Sequence, residues 1–164
     1  MNILLAVDGS APSAAAVQAV AERPWPPAST LRVLTVVETI ATPPIGEMMI
    51  GAGADLDELR RQRLDEAGKF VFAVSTSLRN TGINVETAIR EGSPGHEIVQ
   101  EAIEWPADLI VLGSHGYTGF KRLVLGSVAG RVMSHAPCSV EVVRDRFAAE
   151  QEKQPDLELT GRQR

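Results

Sequence analysis

Residues 108–127 read DLIVLGSHGYTGFKRLVLGS, and this stretch is the most informative part of the chain. It begins with a short apolar run at 108–112, which predicts a buried strand of a parallel sheet. Gly113 and Gly116 follow, then nine intervening residues, and then Gly126 and Ser127, where we expect a helix over 127–135. A strand that runs into a glycine-rich loop and then into a helix is typical of ligand-binding sites in α/β proteins.

The segments on either side alternate between apolar runs and helical patterns. They predict strands at 2–7, 31–37, 83–90 and 138–143, and helices that begin near Ser10, Asp55 and Pro94. This order predicts a parallel sheet with helices on both faces, because crossovers between parallel strands are right-handed. Ligands of such sheets bind beyond the carboxyl ends of the strands, where the strand order switches. We therefore expect the site at the loops 8–10 and 113–116.

Local signals predict where several elements begin and end. Ser10 or Ser13 is expected to cap the first helix, and the run RPWPP at 23–27 to end it. A loop is expected at 39–54, and Gly82 is expected to end the long helix that follows it. The alternating polarity of 83–90 is typical of an edge strand.

Composition limits the classes of protein to which the chain can belong. It has 164 residues, of which 44% are hydrophobic, enough for the core of a single domain. The net charge is −5 and the basic residues are scattered, so we expect no nucleic-acid binding. No signal-peptide pattern or membrane-length apolar run is recognised, and Cys138, the single cysteine, cannot form an internal disulfide. We expect a cytoplasmic protein with one domain at 1–144 and a polar, disordered tail at 145–164.

The glycine loop and the helix after it have the chemistry of an anion site. Glycines let backbone amides approach a ligand closely and permit positive φ. At Gly126 and Ser127, the unpaired N–H groups of the helix start favour an anion, and the Ser127 hydroxyl adds a donor. Asp8, at the end of the first strand, is suited to accept hydrogen bonds from ribose hydroxyls. Together these residues predict a cradle for phosphates.

Each of these residues also has a simpler interpretation. Asp8 is equally suited to cap the first helix, and Gly113 and Gly116 to form an ordinary turn between strand and helix. His115 either contacts a phosphate or is a surface histidine, and the second is the commoner role. No GK[ST] phosphate loop is present, and the three histidines form no metal-binding pattern.

The chain resembles the universal stress protein family, specifically its ATP-binding branch. That branch carries a glycine, two residues, a second glycine, nine residues, and a glycine followed by Ser or Thr, which Gly113, Gly116, Gly126 and Ser127 match. The resemblance covers about residues 2–144 and includes the stretches ILLAVDGS (3–10), LRVLTVVE (31–38), EGSPGHEIVQEA (91–102), ADLIVLGSHG (107–116) and SHAPCSVEVV (134–143). Ser139 departs from the family, which usually has proline there, and this departure concerns strand geometry rather than binding.

The resemblance implies a fold and a set of ligand contacts. The fold is α/β, a three-layer doubly wound sheet of five parallel strands in the order 3-2-1-4-5, Rossmann-like and similar to the adenine nucleotide alpha hydrolases. The implied ligand is ATP, with or without Mg²⁺. Asp8 holds the ribose, the Val36 backbone meets the adenine edge, and the Ser127 hydroxyl and nearby amides meet the ribose and phosphates. The implied binding residues are Asp8, Gly9, Val36, Gly113, His115, Gly116, Gly119, Gly126, Ser127 and Val128.

The function implied by the resemblance is that of a regulatory ATP-binding protein that supports stress survival. One alternative is a slow ATPase or nucleotidyl-transfer enzyme on the same scaffold. It ranks lower because phosphoryl chemistry usually needs metal-binding carboxylates and a positioned base, which the glycine loop does not offer. Another alternative is an interaction module with an empty cleft.

The last predicted strand, which begins at Cys138 and ends at Val143, is expected at an edge of the sheet. An exposed apolar edge invites pairing with another chain, so we expect a homodimer through this strand. In the resembling family this strand commonly forms a two-fold contact, which brings Val140 and Val142 near their copies. The alternative is that the polar tail folds back over this edge.

Overall fold

Strands and helices alternate along the whole described part of the chain. The computed structural model describes residues 1–39, 52–79, 82–116 and 125–144, with residues 52–55 described by their backbone. The strands are β1 (Asn2–Ala6), β2 (Thr30–Val37), β3 (Asn84–Glu91), β4 (Leu109–Gly113) and β5 (Ser139–Val143). The helices are α1 (Ala11–Glu22), α2 (Ala52–Leu78), α3 (Pro94–Glu104) and α4 (Ser127–His135).

The strands form one parallel sheet in the order β3-β2-β1-β4-β5. β1 lies at the centre, with Leu5 opposite Val33 of β2 on one side and opposite Val111 of β4 on the other. β3 and β5 form the two edges. The predicted three-layer doubly wound fold and the order 3-2-1-4-5 are therefore confirmed, and the strand order reverses between β1 and β4.

Two apolar layers hold the helices on the sheet, because successive side chains of each strand point to opposite faces. The layer beneath α1 and α2 includes the fully buried side chains Ile3, Leu5, Leu31, Val33 and Leu78. The layer beneath α3 and α4 includes Leu4, Leu34, Ile110 and Val132. Both faces of β1, β2 and β4 are covered, as their continuous apolar runs predict.

A charged network joins α3 to the sheet on the same face. Glu101 of α3 is buried and accepts hydrogen bonds from Arg32 of β2, at 2.7 Å, and from Arg90 of β3. The Arg32 guanidinium also lies 4.3 Å from the centroid of the Trp105 ring. Burial by itself would raise the pKa of Glu101, but the hydrogen bonds from the two arginines outweigh it and lower that pKa. Charge-assisted hydrogen bonds therefore fix α3 to two neighbouring strands.

Some element ends differ from the prediction. α2 begins at Ala52, so the predicted loop is wrong for its last three residues, and its positions 40–51 lie outside the described residues. Gly53 suggested a loop, yet one glycine costs a helix only about 1 kcal/mol, which packing of a long helix on the sheet offsets. Of the two candidate caps of α1, Ser10 is the N-cap, and its Oγ accepts from the Ser13 N–H. The predicted tail at 145–164 lies outside the described residues.

None of the described helices is both long enough and apolar enough to cross a membrane.

Candidate functional site

A cleft of about 750 Å³ opens beyond the carboxyl ends of β1, β2 and β4, where the strand order reverses. Its volume lies within the range of small-molecule sites, roughly 300–1,000 Å³. Its walls come from both predicted loops, the end of β2, and the first turns of α3 and α4. Residues that line it include Asp8, Ser13, Thr35, Val36, Glu38, Pro94, Ile98, Gly113, His115, Gly116, Leu125, Gly126, Ser127, Val128 and Ala129.

The loop after β1 is held by side-chain hydrogen bonds. Asp8 Oδ1 accepts from the Ser10 N–H at 2.9 Å and from the Ser10 hydroxyl at 2.6 Å. Ser13 Oγ accepts from the Asp8 N–H at 3.1 Å. Gly9 does not line the cleft, but its φ of 82° makes the turn and favours glycine. Oδ1 of Asp8 therefore holds the turn through Ser10 but does not cap α1, whose N-cap is Ser10. Oδ2 is directed towards Gly116.

The loop after β4 is held by close backbone packing at Gly113. A Cβ at this position would lie 2.7 Å from the carbonyl carbon of Pro12 and 2.8 Å from the Ser13 nitrogen. Glycine permits positive φ, but Gly113, Gly116 and Gly126 do not adopt it, so backbone conformation does not explain glycine at these three positions. Gly113 is required because the first turn of α1 packs directly on the end of β4.

Gly116 and Gly126 lie where the loop approaches the cleft. A Cβ would lie 2.8 Å from Asp8 Oδ2 at Gly116 and 3.1 Å from the Ser114 carbonyl oxygen at Gly126. The Gly126 N–H donates to that carbonyl at 3.0 Å. This amide, which was expected to contact a ligand, is therefore hydrogen-bonded within the protein. The Ser114 N–H donates in turn to the Val143 carbonyl at the end of β5, at 2.8 Å. The Ser114 peptide groups thus tie the start of α4 to the sheet.

The start of α4 faces the cleft without a side-chain cap. Gly126 is the N-cap and makes no side-chain hydrogen bond, and Ser127, Val128 and Ala129 form the first turn and line the cleft. Amides of a first helical turn have no partner within the helix, and the helix dipole adds partial positive charge there. This end of the cleft is therefore suited to an anion.

The end of β2 supplies an open backbone edge. The Leu34 carbonyl accepts from the Val7 N–H at 2.8 Å and so faces β1, whereas the Val37 carbonyl accepts from the Gly92 N–H and faces β3. Because successive residues of a strand direct their N–H and C=O groups to alternate neighbours, Val36 faces the β1 side. β1 has already ended there, and within the described residues no backbone hydrogen bond reaches Val36 from the β1 side. Its N–H and C=O are therefore open side by side at the cleft.

His115 is half-buried in the wall of the cleft rather than on the open surface. Its Nδ1 lies 3.1 Å from Oγ of the buried Ser114, and its carbonyl is 3.4 Å from the Ser10 hydroxyl. His115 therefore lies between the loops that follow β1 and β4.

The sequence matches a known family along most of its length. The profile described as the universal stress protein family matches residues 1–144. The chain belongs to the universal stress protein family.

Other family members are similar over most of their length. Universal stress protein YxiE of Bacillus subtilis (strain 168) is 31% identical over 145 residues, which cover 87% of this chain and 98% of YxiE. The structure of UspA from Lactobacillus plantarum has a TM-score of 0.72 at 30% identity and covers 88% of this chain and 97% of its own. A family protein from Arabidopsis thaliana with AMP bound has a TM-score of 0.62 and covers 88% of this chain and 91% of its own. At 18% identity, this last likeness shows the fold alone.

Some cleft residues of this universal stress protein were missed by sequence reasoning. Thr35 and Glu38 at the end of β2, and Ile98 of α3, line the cleft beside the predicted residues. Thr35 did leave a signal, since it is the one hydroxyl in the apolar run 33–37. Gly119, which the family resemblance implied, falls outside the described residues. Across the described ranges, no group of three or more His, Cys, Asp or Glu residues could hold a metal ion.

Proposed function

We propose that this universal stress protein binds ATP in the cleft and acts as a nucleotide-dependent regulator in the stress response. The observation that carries the proposal is the presence, in one cleft, of an open strand edge at Val36 and an uncapped helix start at Ser127. An adenine nucleotide has a hydrogen-bonding base at one end and phosphates at the other, with a ribose between them. The cleft offers complementary groups for all three parts.

The strand edge is complementary to adenine. The Watson–Crick edge of adenine presents a ring-nitrogen acceptor, N1, beside an amine donor, N6. The Val36 N–H would donate to N1, and the Val36 carbonyl would accept from N6. Guanine presents a donor and a carbonyl oxygen in the opposite arrangement, so the same edge leaves both partners unsatisfied with guanine. The backbone therefore favours adenine without a contribution from the Val36 side chain.

The helix start is complementary to the phosphates. First-turn amides at Ser127, Val128 and Ala129 point out of α4, and the exposed Ser127 hydroxyl adds a donor. Anions bind at such helix starts because the amides and the dipole act together. His115 lines the same cleft.

The ribose would lie between these ends, beside Asp8. Oδ1 of this carboxylate is engaged by Ser10, which fixes its orientation, and Oδ2 is directed towards Gly116. We assign Oδ2 to the ribose hydroxyls, since hydrogen bonds to a charged acceptor are among the stronger ones. The Arabidopsis thaliana family protein, which shares the fold, has AMP bound, so an adenine nucleotide is in keeping with the proposal.

Nucleotide released from freshly purified, denatured protein tests the proposal first. Mass spectrometry should find an adenine nucleotide at about one per chain. Titration calorimetry on nucleotide-free protein should then show ATP binding more tightly than AMP, because the extra phosphates reach the start of α4, and GTP binding more weakly than ATP. Protein that binds no adenine nucleotide, or that binds GTP as tightly as ATP, would contradict the proposal. Rapid turnover in excess Mg-ATP would instead favour the enzyme alternative.

We also propose that two copies associate through β5. This strand lies at the edge of the sheet and pairs with β4 on its inner side. Val140 and Val142 are half-buried, so they retain apolar surface at that edge. A two-fold axis there would bring each residue near its copy.

Light scattering at several concentrations tests the association. Val142→Lys should shift the protein to monomer, because it places like charges across the contact. Ile103→Lys, on an exposed position of α3, is the matched control and should leave the mass unchanged. A wild-type mass near that of one 17.6 kDa chain at all concentrations rules out the dimer. A dimer that Val142→Lys leaves intact places the interface elsewhere.

A further inference from the structure

Thr35 lies where the hydrogen-bond ladder between β1 and β2 stops. In a regular parallel ladder, Val7 would donate to the Leu34 carbonyl and accept from the Val36 N–H. The first of these bonds is present at 2.8 Å. Within the described residues the second is missing, and the Val7 carbonyl accepts from Thr35 Oγ1 at 2.8 Å instead. The Thr35 hydroxyl thus donates to the Val7 carbonyl in place of the Val36 N–H.

We propose that Thr35 is a positioning residue for the nucleotide base. Its hydroxyl donates to the Val7 carbonyl, so the hydrogen-bond ladder between β1 and β2 ends one bond early. The Val36 N–H is then available to donate to N1 of adenine. This inference rests on the proposed function, because it explains why the strand edge assigned to the base is open.

Because Thr35 and Val7 are both buried, the Val7 carbonyl needs a donor from within the protein. Thr35 and Val7 are only 7% and 5% exposed, so little of either residue is accessible to water. A buried carbonyl without a donor is costly, and the donor that strand geometry brings to Val7 is the Val36 N–H. Removal of the Thr35 hydroxyl should therefore extend the ladder by one bond. The Val36 N–H would then be used within the sheet and lost to the ligand.

The test compares ATP with 1-deaza-ATP, which has a C–H in place of N1 and cannot accept from Val36. Wild-type protein should bind ATP about tenfold more tightly than the analogue, a factor typical of one hydrogen bond. Thr35→Val, which has nearly the same shape, should weaken ATP binding by about the same factor and leave the analogue unaffected. Thr35→Ser keeps the hydroxyl and should behave like wild type. Thr30→Val, at the opposite end of β2, is the matched control.

A purely structural role for Thr35 gives a different result. In that case Thr35→Val would weaken both ligands equally or neither, and either outcome overturns the inference. Because the comparison is between two ligands in one variant, a general loss of stability cannot imitate the expected pattern.

Amide hydrogen exchange without nucleotide provides a test that does not depend on the proposed function. In wild type the Val36 amide should exchange faster than the Leu34 amide, and in Thr35→Val it should become protected. A protected Val36 amide in wild type would overturn the inference even if Thr35→Val does not fold. If Val36 exchanges as expected but the wild type binds no adenine nucleotide, the proposed function fails, and with it the role of the open edge in binding a base.

Discussion

The two loops that form the centre of the cleft are built in different ways. The loop after β1 is held by side chains, with Asp8, Ser10 and Ser13 linked through hydrogen bonds. The loop after β4 packs closely at its glycines, since a Cβ on Gly113 or Gly116 would lie within 3 Å of neighbouring atoms. Ser10 and Ser13 in the first loop can be replaced by residues that restore their hydrogen bonds, whereas Gly113 packs on backbone and tolerates no added atom. Substitutions in the loop after β1 should therefore matter when they remove a hydrogen-bonding group, and substitutions in the loop after β4 when they add volume.

Gly113→Ala should have the largest effect and should act on the fold. The added methyl meets backbone atoms of Pro12 and Ser13, which cannot swing aside as a flexible side chain does. We expect the free energy of unfolding to fall by about 3 kcal/mol, the upper end of the range for overpacking. Urea denaturation followed by circular dichroism measures it.

Gly130→Ala is the matched control for that experiment. Its added methyl would have Leu125 at 3.9 Å as its nearest neighbour, an ordinary contact. It should leave stability unchanged or raise it by up to about 1 kcal/mol, because alanine favours the helix. If Gly113→Ala and Gly130→Ala lower the free energy of unfolding equally, close packing at Gly113 does not explain the loss, and the contrast between the two loops is wrong.

Asp8→Ala should have the next largest effect and should act on binding. If Oδ2 accepts from the ribose, ATP binding should weaken by about 2 kcal/mol, within the range for hydrogen bonds to charged groups. The 2′,3′-dideoxy analogue of ATP should bind wild type and Asp8→Ala about equally in titration calorimetry. If the analogue prefers wild type as strongly as ATP does, Asp8 serves only to cap the turn.

Gly116→Ala tests whether the two loops act through each other. The methyl would lie 2.8 Å from Asp8 Oδ2, the end of a side chain that can move, so the fold should survive. We expect ATP affinity to fall about tenfold, because the carboxylate is displaced from the ribose. In the Asp8→Ala background the same substitution should have almost no further effect on affinity. Additive losses in the double variant would show that Gly116 acts independently of Asp8.

Ser10→Ala should have the smallest effect of the four. It removes the N-cap of α1 and one donor to Asp8 Oδ1, and we expect a loss of about 1 kcal/mol in the free energy of unfolding. Ser10→Thr keeps the hydroxyl and should recover most of that loss in thermal denaturation. If the threonine variant is as unstable as the alanine variant, the loop after β1 depends on volume as well as chemistry.

The order of strands and helices along the chain and the location of the cleft can be predicted from the sequence, because apolar alternation and glycine spacing are local patterns. The order of the strands within the sheet was implied by the family resemblance. The sequence does not predict why Gly113 is glycine, since the atoms that exclude a side chain belong to α1, far away in the sequence. Nor does it predict the open edge at Val36 from the residues themselves, because that edge depends on which donor reaches the Val7 carbonyl. Family resemblance implied a role for Val36, but Thr35 could be recognised only from a tertiary hydrogen bond.

The Ser114 peptide groups have a consequence for how the protein is synthesised. They link the start of α4 to the Val143 carbonyl, at the end of the last strand of the sheet. The ribosome makes Asp8, Val36 and the glycine loop before it makes Val143. A nascent chain therefore contains the binding groups before the hydrogen bond from Ser114 to Val143 can form. We expect the cleft to acquire its affinity only once β5 has emerged, so that a chain stalled or cleaved before β5 does not retain nucleotide.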